Sequence, residues 1–197
     1  MTARVDPAAA REVAAAYLDS PNSRGPVVAT AYGRLATESD RMFEHITCPD
    51  RPGRVRVAFT TCPRPYANAR ELIRSVRDDR LLEVVTVAVQ RERRHPLMGG
   101  EAGGAYDRFR AVHDVLGHAR LHVGFDRDGE FAAWRSQDRL HGPLARRALA
   151  TELHGQHSVC WTTGETAEPK AVLLDPRLVR RSIAASLQTP AHTKGPS

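Results

Sequence analysis

The sequence predicts an α+β fold, mostly helical, in a single domain with a small β-sheet in its N-terminal half. Three observations carry this. Long stretches have apolar residues at helical spacing, and two of them open on Asp-Pro pairs. The only strand-like runs lie before residue 90. The 197-residue length suits one core, and nothing repeats internally.

Asp6-Pro7 places an N-cap and a first-turn proline ahead of AAAREVAAAYL, a strong helix former that Pro21 to Pro26 break. Val28 to about Ile46 reads as a second helix, with Tyr32, Leu35, Met42, Phe43 and Ile46 on its apolar positions. Val55 to Thr60 alternates like a strand, and Pro63 and Pro65 end it. Tyr66 to Asp79 is helical, with Ala69, Leu72, Ile73 and Val76 sharing a face. Leu81 to Val89 is a second, β-branched strand. Together these form a β-α-β or hairpin-like unit.

Residues 91–104 are a charged, glycine-rich connection, either a linker or a lid over a site. Helices are then expected over Asp107–His118, Asp128–Leu140, Leu144–His157 and Leu178–Leu187, with a loop over Thr162–Lys170. The domain therefore spans residues 1–187, and 188–197 read as a disordered tail.

Hydrophobic residues at 41% and charged residues at 26% exclude a fully disordered chain. No run approaches the ~20 apolar residues of a membrane span, and the N-terminus lacks an apolar signal core, so a cytoplasmic protein without membrane partners is expected. Three scattered cysteines, Cys48, Cys62 and Cys160, make no disulfide framework and no CxxC zinc motif. The net charge of +6 comes from arginines spread along the chain, and aromatics are only 6%. Nucleic acid is therefore a disfavoured partner, and a non-enzymatic basic accessory protein is a third reading.

Six of the nine histidines lie between His113 and His157. His113-Asp114-Val115-Leu116-Gly117-His118 is the sharpest element. Residues five apart point about 140° from one another on an ideal helix. His113 and His118 can therefore share a metal only if the backbone departs from that helix, through Gly117, a helix end or a π-bulge. Asp114 and His118, four apart, are the geometrically simpler pair, and spacing alone does not choose. Glu152 lies beside the apolar positions Leu149 and Leu153, where a carboxylate needs a partner, either a metal or an arginine. Glu130 opens a helix, where the dipole favours it. It is also a candidate to support a ligand histidine or to act catalytically.

Two histidines and a carboxylate form the facial triad of non-heme Fe(II) oxygen-activating enzymes, and the same ligands hold catalytic zinc. The motif resembles the His-Glu-Leu-Leu-Gly-His of pterin-dependent aromatic amino acid hydroxylases. Further on, Phe131-Ala132-Ala133-Trp134-Arg135-Ser136-Gln137 is similar to that family's Phe-Ala-Gln-Phe-Ser-Gln, and Thr151-Glu152-Leu153-His154-Gly155 to its Thr-Val-Glu-Phe-Gly. Uncharacterised actinobacterial and phage proteins share a similar His-Asp-x-x-Gly-His pattern.

The resemblance covers about Asp107 to Leu187. It implies His113, His118 and Glu152 as Fe(II) ligands, with O2 and a small organic molecule as substrates and a pterin or other reductant. It also implies Arg94 as a contact for a substrate carboxylate. Asp114 and Glu130 are the candidate catalytic groups, and Gln137 and Gln156 the candidate supporting or substrate contacts. Asp114 stands where the family has Glu, and no segment matches its pterin site. The second reading is a zinc hydrolase on the same ligands, with Asp114 or Glu130 as general base.

Overall fold

The structure, a computed structural model, describes residues 4–89 and 94–188. Of the expected tail, residues 189–197 lie outside the described residues, as does the first part of the 91–104 connection, while Gln188 ends a helix. Among those residues the architecture is α+β and dominated by helices, as expected.

Helix α1 (Pro7–Asp19) is capped by Asp6, whose carboxylate accepts the Ala9 N–H at 2.8 Å. Helix α2 (Pro26–Thr47) buries Ala31, Tyr32, Leu35 and Ile46. Strands β1 (Arg56–Thr60) and β2 (Leu81–Val85) pair in parallel, with Val57 opposite Leu82. Parallel pairing requires a crossover. It is made by α3 (Ala69–Arg74) and the π-helical turn Ser75–Asp79. The β-α-β alternative therefore holds over the hairpin.

Strand β2 ends at Val85, not at Val89. Asp107 is fully buried and captures the chain just beyond it, taking the Thr86 hydroxyl at 2.6 Å and the Val87 N–H at 3.0 Å. The last bond to β1 is from the Thr86 N–H to the Thr60 carbonyl, and with the Val87 N–H taken by a side chain the ladder cannot continue.

Helix α4 (Ala105–His113) runs into the π-helical turn Asp114–Ala119. Helix α5 (Arg127–Asp138) follows, capped by Asp126. Helix α6 (Pro143–Leu149), the π-helical turn Ala150–Gly155 and α7 (Gln156–Thr163) form one continuous rod. Gly164, at φ 78°, closes that rod in the left-handed conformation. Helix α8 (Pro176–Gln188) packs on α1.

One apolar cluster joins Tyr32, Leu35, Phe109, Phe131, Trp134 and Leu149. A second joins the strands and α3 to α4, through Leu72, Val76, Leu82, Val84 and Val112. Helix α2 packs against both α4 and α6, and α5 lies on the turn Asp114–Ala119. The two π-helical rods are thus held side by side, with a cavity between them. Among the described residues no helix is long and apolar enough to cross a membrane.

Candidate metal centre

His113 ends α4, and His118 lies within the π-helical turn that follows. A π-turn bonds residues five apart, so it brings together two side chains that an α-helix would separate. The two imidazoles lie 4.9 Å apart between ring centroids, nearly perpendicular at 88°. The spacing of five therefore works through the π-bulge.

Gly117 lies inside that π-helical turn. It does not adopt a positive φ. Its role is close approach: a Cβ there would stand 2.8 Å from the Ala133 Cβ of α5.

Alpha-helix α5 supplies the carboxylate. Glu130 Oε2 lies 3.2 Å from His113 Nε2 and 3.3 Å from His118 Nε2. His113, His118 and Glu130 are all buried and form the one group among the described residues able to hold a metal ion. From α7, His157 Nδ1 also reaches within 3.3 Å of Glu130 Oε2, with its ring stacked on Trp161.

The far nitrogens of the first two histidines are fixed. His118 Nδ1 donates to the Val123 carbonyl at 3.2 Å, and His113 Nδ1 donates to Gln137 Oε1 at 2.9 Å. Such contacts set the tautomer and ring orientation of ligand histidines. His122, at φ 58°, turns the chain so that Val123 comes back beneath His118, and its N–H returns to the His118 carbonyl at 3.3 Å. With Nδ1 donating, the neutral form of each ring presents a lone pair from Nε2. Two lone pairs would then face a carboxylate oxygen at contact distance, which only protons or a cation make favourable.

Burial pushes the Glu130 carboxyl up, but the surrounding imidazoles of His157, His113 and His118 outweigh it and hold it well below the usual carboxylate range. Burial pulls His118 down, and Glu130 and Asp114 more than compensate, leaving it raised. His157 is lowered, because burial there exceeds the attraction of Glu130. Asp114 is raised by burial against the pull of His113 and His118.

Glu152 sits in a different constellation. Its Oε1 lies 2.8 Å from the Tyr32 hydroxyl and 3.3 Å from His95 Nε2. Its Oε2 accepts from Tyr106 Oη at 3.1 Å and from Gln156 Nε2. His95 Nδ1 accepts the N–H groups of Leu97 and Met98, so its hydrogen is on Nε2, facing Glu152. Three hydrogen-bond donors and the His95 ring thus surround the carboxylate, and its partners are neither an arginine nor the His113–His118 pair. Burial and the Glu152 charge push both Tyr32 and Tyr106 upward, keeping them protonated donors.

Both constellations line one cavity of about 340 Å³. Asp114, His157 and Gln156 open onto it, with Phe109, Leu153 and Trp161 as apolar wall. Arg94 does not. It is exposed and donates to the Ala88 carbonyl at 3.2 Å. The guanidinium on the cavity wall belongs to Arg110, anchored on the Val85 carbonyl at 2.6 Å. Sequence reasoning missed Arg110. It lies three residues before His113, one turn away, and that spacing was the available signal.

No protein-family model matches the chain, and no curated protein and no solved structure is significantly similar to it.

Proposed function

We propose that this protein is a non-heme Fe(II)-dependent oxygenase of a small organic substrate, with His113, His118 and Glu130 as metal ligands. One observation carries the reading: two imidazoles with donor-fixed Nδ1 atoms aim Nε2 at a single buried carboxylate oxygen beside a cavity. The 3.2 and 3.3 Å separations fit ligands of one ion. At metal–ligand lengths of ~2.1 Å, neighbouring ligands are roughly 3.0 Å apart at right angles and roughly 3.4 Å in a tetrahedron.

Bound there, Fe(II) supplies open positions for O2 and substrate. Gln137 and Val123 hold the two imidazoles in register. Phe109, Leu153 and Trp161 exclude water from the cavity. Asp114, raised by burial, keeps a proton at its carboxyl to higher pH than an exposed aspartate. Arg110 offers a cation to an anionic substrate group, and Gln156, fixed on Glu152, offers its amide oxygen. These roles replace the Arg94 contact.

A zinc hydrolase is the second reading. His157 favours it, because a cavity-lining imidazole kept neutral by burial suits a general base.

Anaerobic reconstitution with Fe(II) or Zn(II) tests both, comparing wild type with His113→Ala, Glu130→Ala and Glu152→Ala for bound metal and O2 uptake. The proposal expects one iron per chain, lost in the first two variants, and O2 consumption by wild type. Stoichiometric zinc without O2 chemistry would select the hydrolase. Metal lost only with Glu152→Ala would move the third ligand there. No metal in folded wild type would leave the accessory-protein reading.

A further inference from the structure

A second concavity, of about 320 Å³, lies on the other side of the π-helical turn Asp114–Ala119. Asp114 and His118 face the metal cavity, while Val115, Leu116 and Ala119 face this groove, and the two share no lining residue. Its rim carries Arg51, Arg54, Arg77, Arg80 and Arg120 together with His45. No carboxylate lines it. All five arginines are exposed, and among the described residues none has a carboxylate within ion-pair distance.

Some arginines outside the groove are paired, Arg108 with Asp40 and Arg135 and Arg146 with Asp138. Five guanidiniums lining one groove, with Arg51 bonded only to the His45 ring, repel one another, a cost that an anion lowers. Arg80 is placed there by a helix end. It is a non-glycine residue in the left-handed conformation, at φ 55°, and its carbonyl is fixed by the Arg56 N–H at 2.8 Å. Its guanidinium lies across Gly53, 3.8 Å from where a Cβ would stand. Arg80 is the C-cap of the π-helical turn Ser75–Asp79, its N–H returning to the Ser75 carbonyl, and this cap sets its side chain at the groove.

We infer that this groove binds a small molecule carrying two or more phosphate groups. Guanidinium forks match phosphate oxygens bidentately, and five of them exceed what one phosphate uses. The floor, with Val55, Val76 and Val115, accepts an apolar body beside the phosphates. The volume suits a ligand of nucleotide size. No Phe, Tyr or Trp ring lines the groove, so it lacks the stacking platform on which single-stranded nucleic acid is held. The inference is independent of the metal reading, because nothing in it involves His113, His118 or Glu130.

The test is calorimetric titration of the full chain with inorganic triphosphate, with ATP, and with a 20-nucleotide single strand. Titrations are run on wild type, Arg54→Glu/Arg77→Glu, Arg77→Ala and Arg181→Glu, which lies on α8 outside the groove. Circular dichroism and melting check each fold. Triphosphate and ATP should bind wild type and Arg181→Glu alike. Binding should fall at least tenfold in the double variant and less in Arg77→Ala, which also serves if the double variant does not fold. ATP binding more tightly than triphosphate would support the role of the apolar floor. No binding to wild type, or equal loss with Arg181→Glu, overturns the inference. So does an oligonucleotide that binds far more tightly than ATP and loses its affinity in the double variant, because the groove would then be a nucleic-acid surface.

Discussion

Gly117→Ala tests why the ligand-bearing turn has a glycine. The new Cβ would stand 2.8 Å from the Ala133 Cβ and 3.4 Å from both the Ala133 Cα and His113 Nδ1. Carbon atoms pack best at ~3.5–4.0 Å, so the turn and α5 must part by about 1 Å. Overpacking of this kind costs ~1–3 kcal/mol, against an intrinsic gain of ~0.5–1 kcal/mol for alanine over glycine in a helix. The net expectation is a loss of about 1–2 kcal/mol, or a urea midpoint lower by roughly 0.5–1 M at an m-value of ~2 kcal/mol/M.

Gly33→Ala is the control. It lies on α2 with nothing within 4 Å of its Cβ position, and it should gain the intrinsic term alone. Because α5 also carries Glu130, Gly117→Ala should weaken metal binding at least tenfold in a competitive chelator titration. If Gly117→Ala is as stable as Gly33→Ala and keeps its metal affinity, then close packing of the turn on α5 is not what aligns the ligands.

Four further outcomes follow from the same geometry. Glu152→Gln removes an acceptor from among three donors and the His95 ring, and should cost ~1–3 kcal/mol in chemical unfolding while leaving metal stoichiometry unchanged. His122→Gly relieves a left-handed non-glycine residue and should raise stability by up to ~1 kcal/mol in chemical unfolding. His154, stacked on Trp134 at 4.4 Å, is pushed down to about 3 by burial. Its folded pKa is depressed, so stability is full above ~6.5 and falls by up to ~1.4 kcal/mol per pH unit as pH drops toward 3. His154→Leu should flatten that limb of a denaturation-versus-pH curve. Asp107→Asn should loosen the chain after β2, seen as faster amide exchange at Val87 and Gly103, since both N–H groups bond that carboxylate.

The elements that periodicity and punctuation define were readable in the sequence. Asp6-Pro7 starts a helix where the cap demands it, and the β-branched run at Leu81 begins a strand. The strand's end was not readable, because it is fixed by Asp107, more than twenty residues further on. The His113–His118 spacing posed a geometric problem whose solution, a π-bulge, was among the stated possibilities. The carboxylates were harder. Glu130 had a sufficient local explanation in the helix dipole, which hid its aim at the two histidines. Glu152 needed a buried partner, and its actual partners, Tyr32, His95 and Tyr106, are brought in by α2, the His95 loop and α4. Such meetings leave no local trace. Arg94 and Arg110 differ only in which one the fold turns inward.

Each π-helical turn amounts to one residue more than a regular helix would hold. Removing a single residue from Asp114–Ala119 would let α4 continue as an ordinary helix and rotate everything after the cut by about 100°. His118 would swing away from Glu130, and the Val115–Ala119 face would leave the arginine groove with it. Single-residue deletions, normally scored as damage, would therefore behave at this turn as a register change felt on both faces at once. Substitutions such as Gly117→Ala perturb only one side.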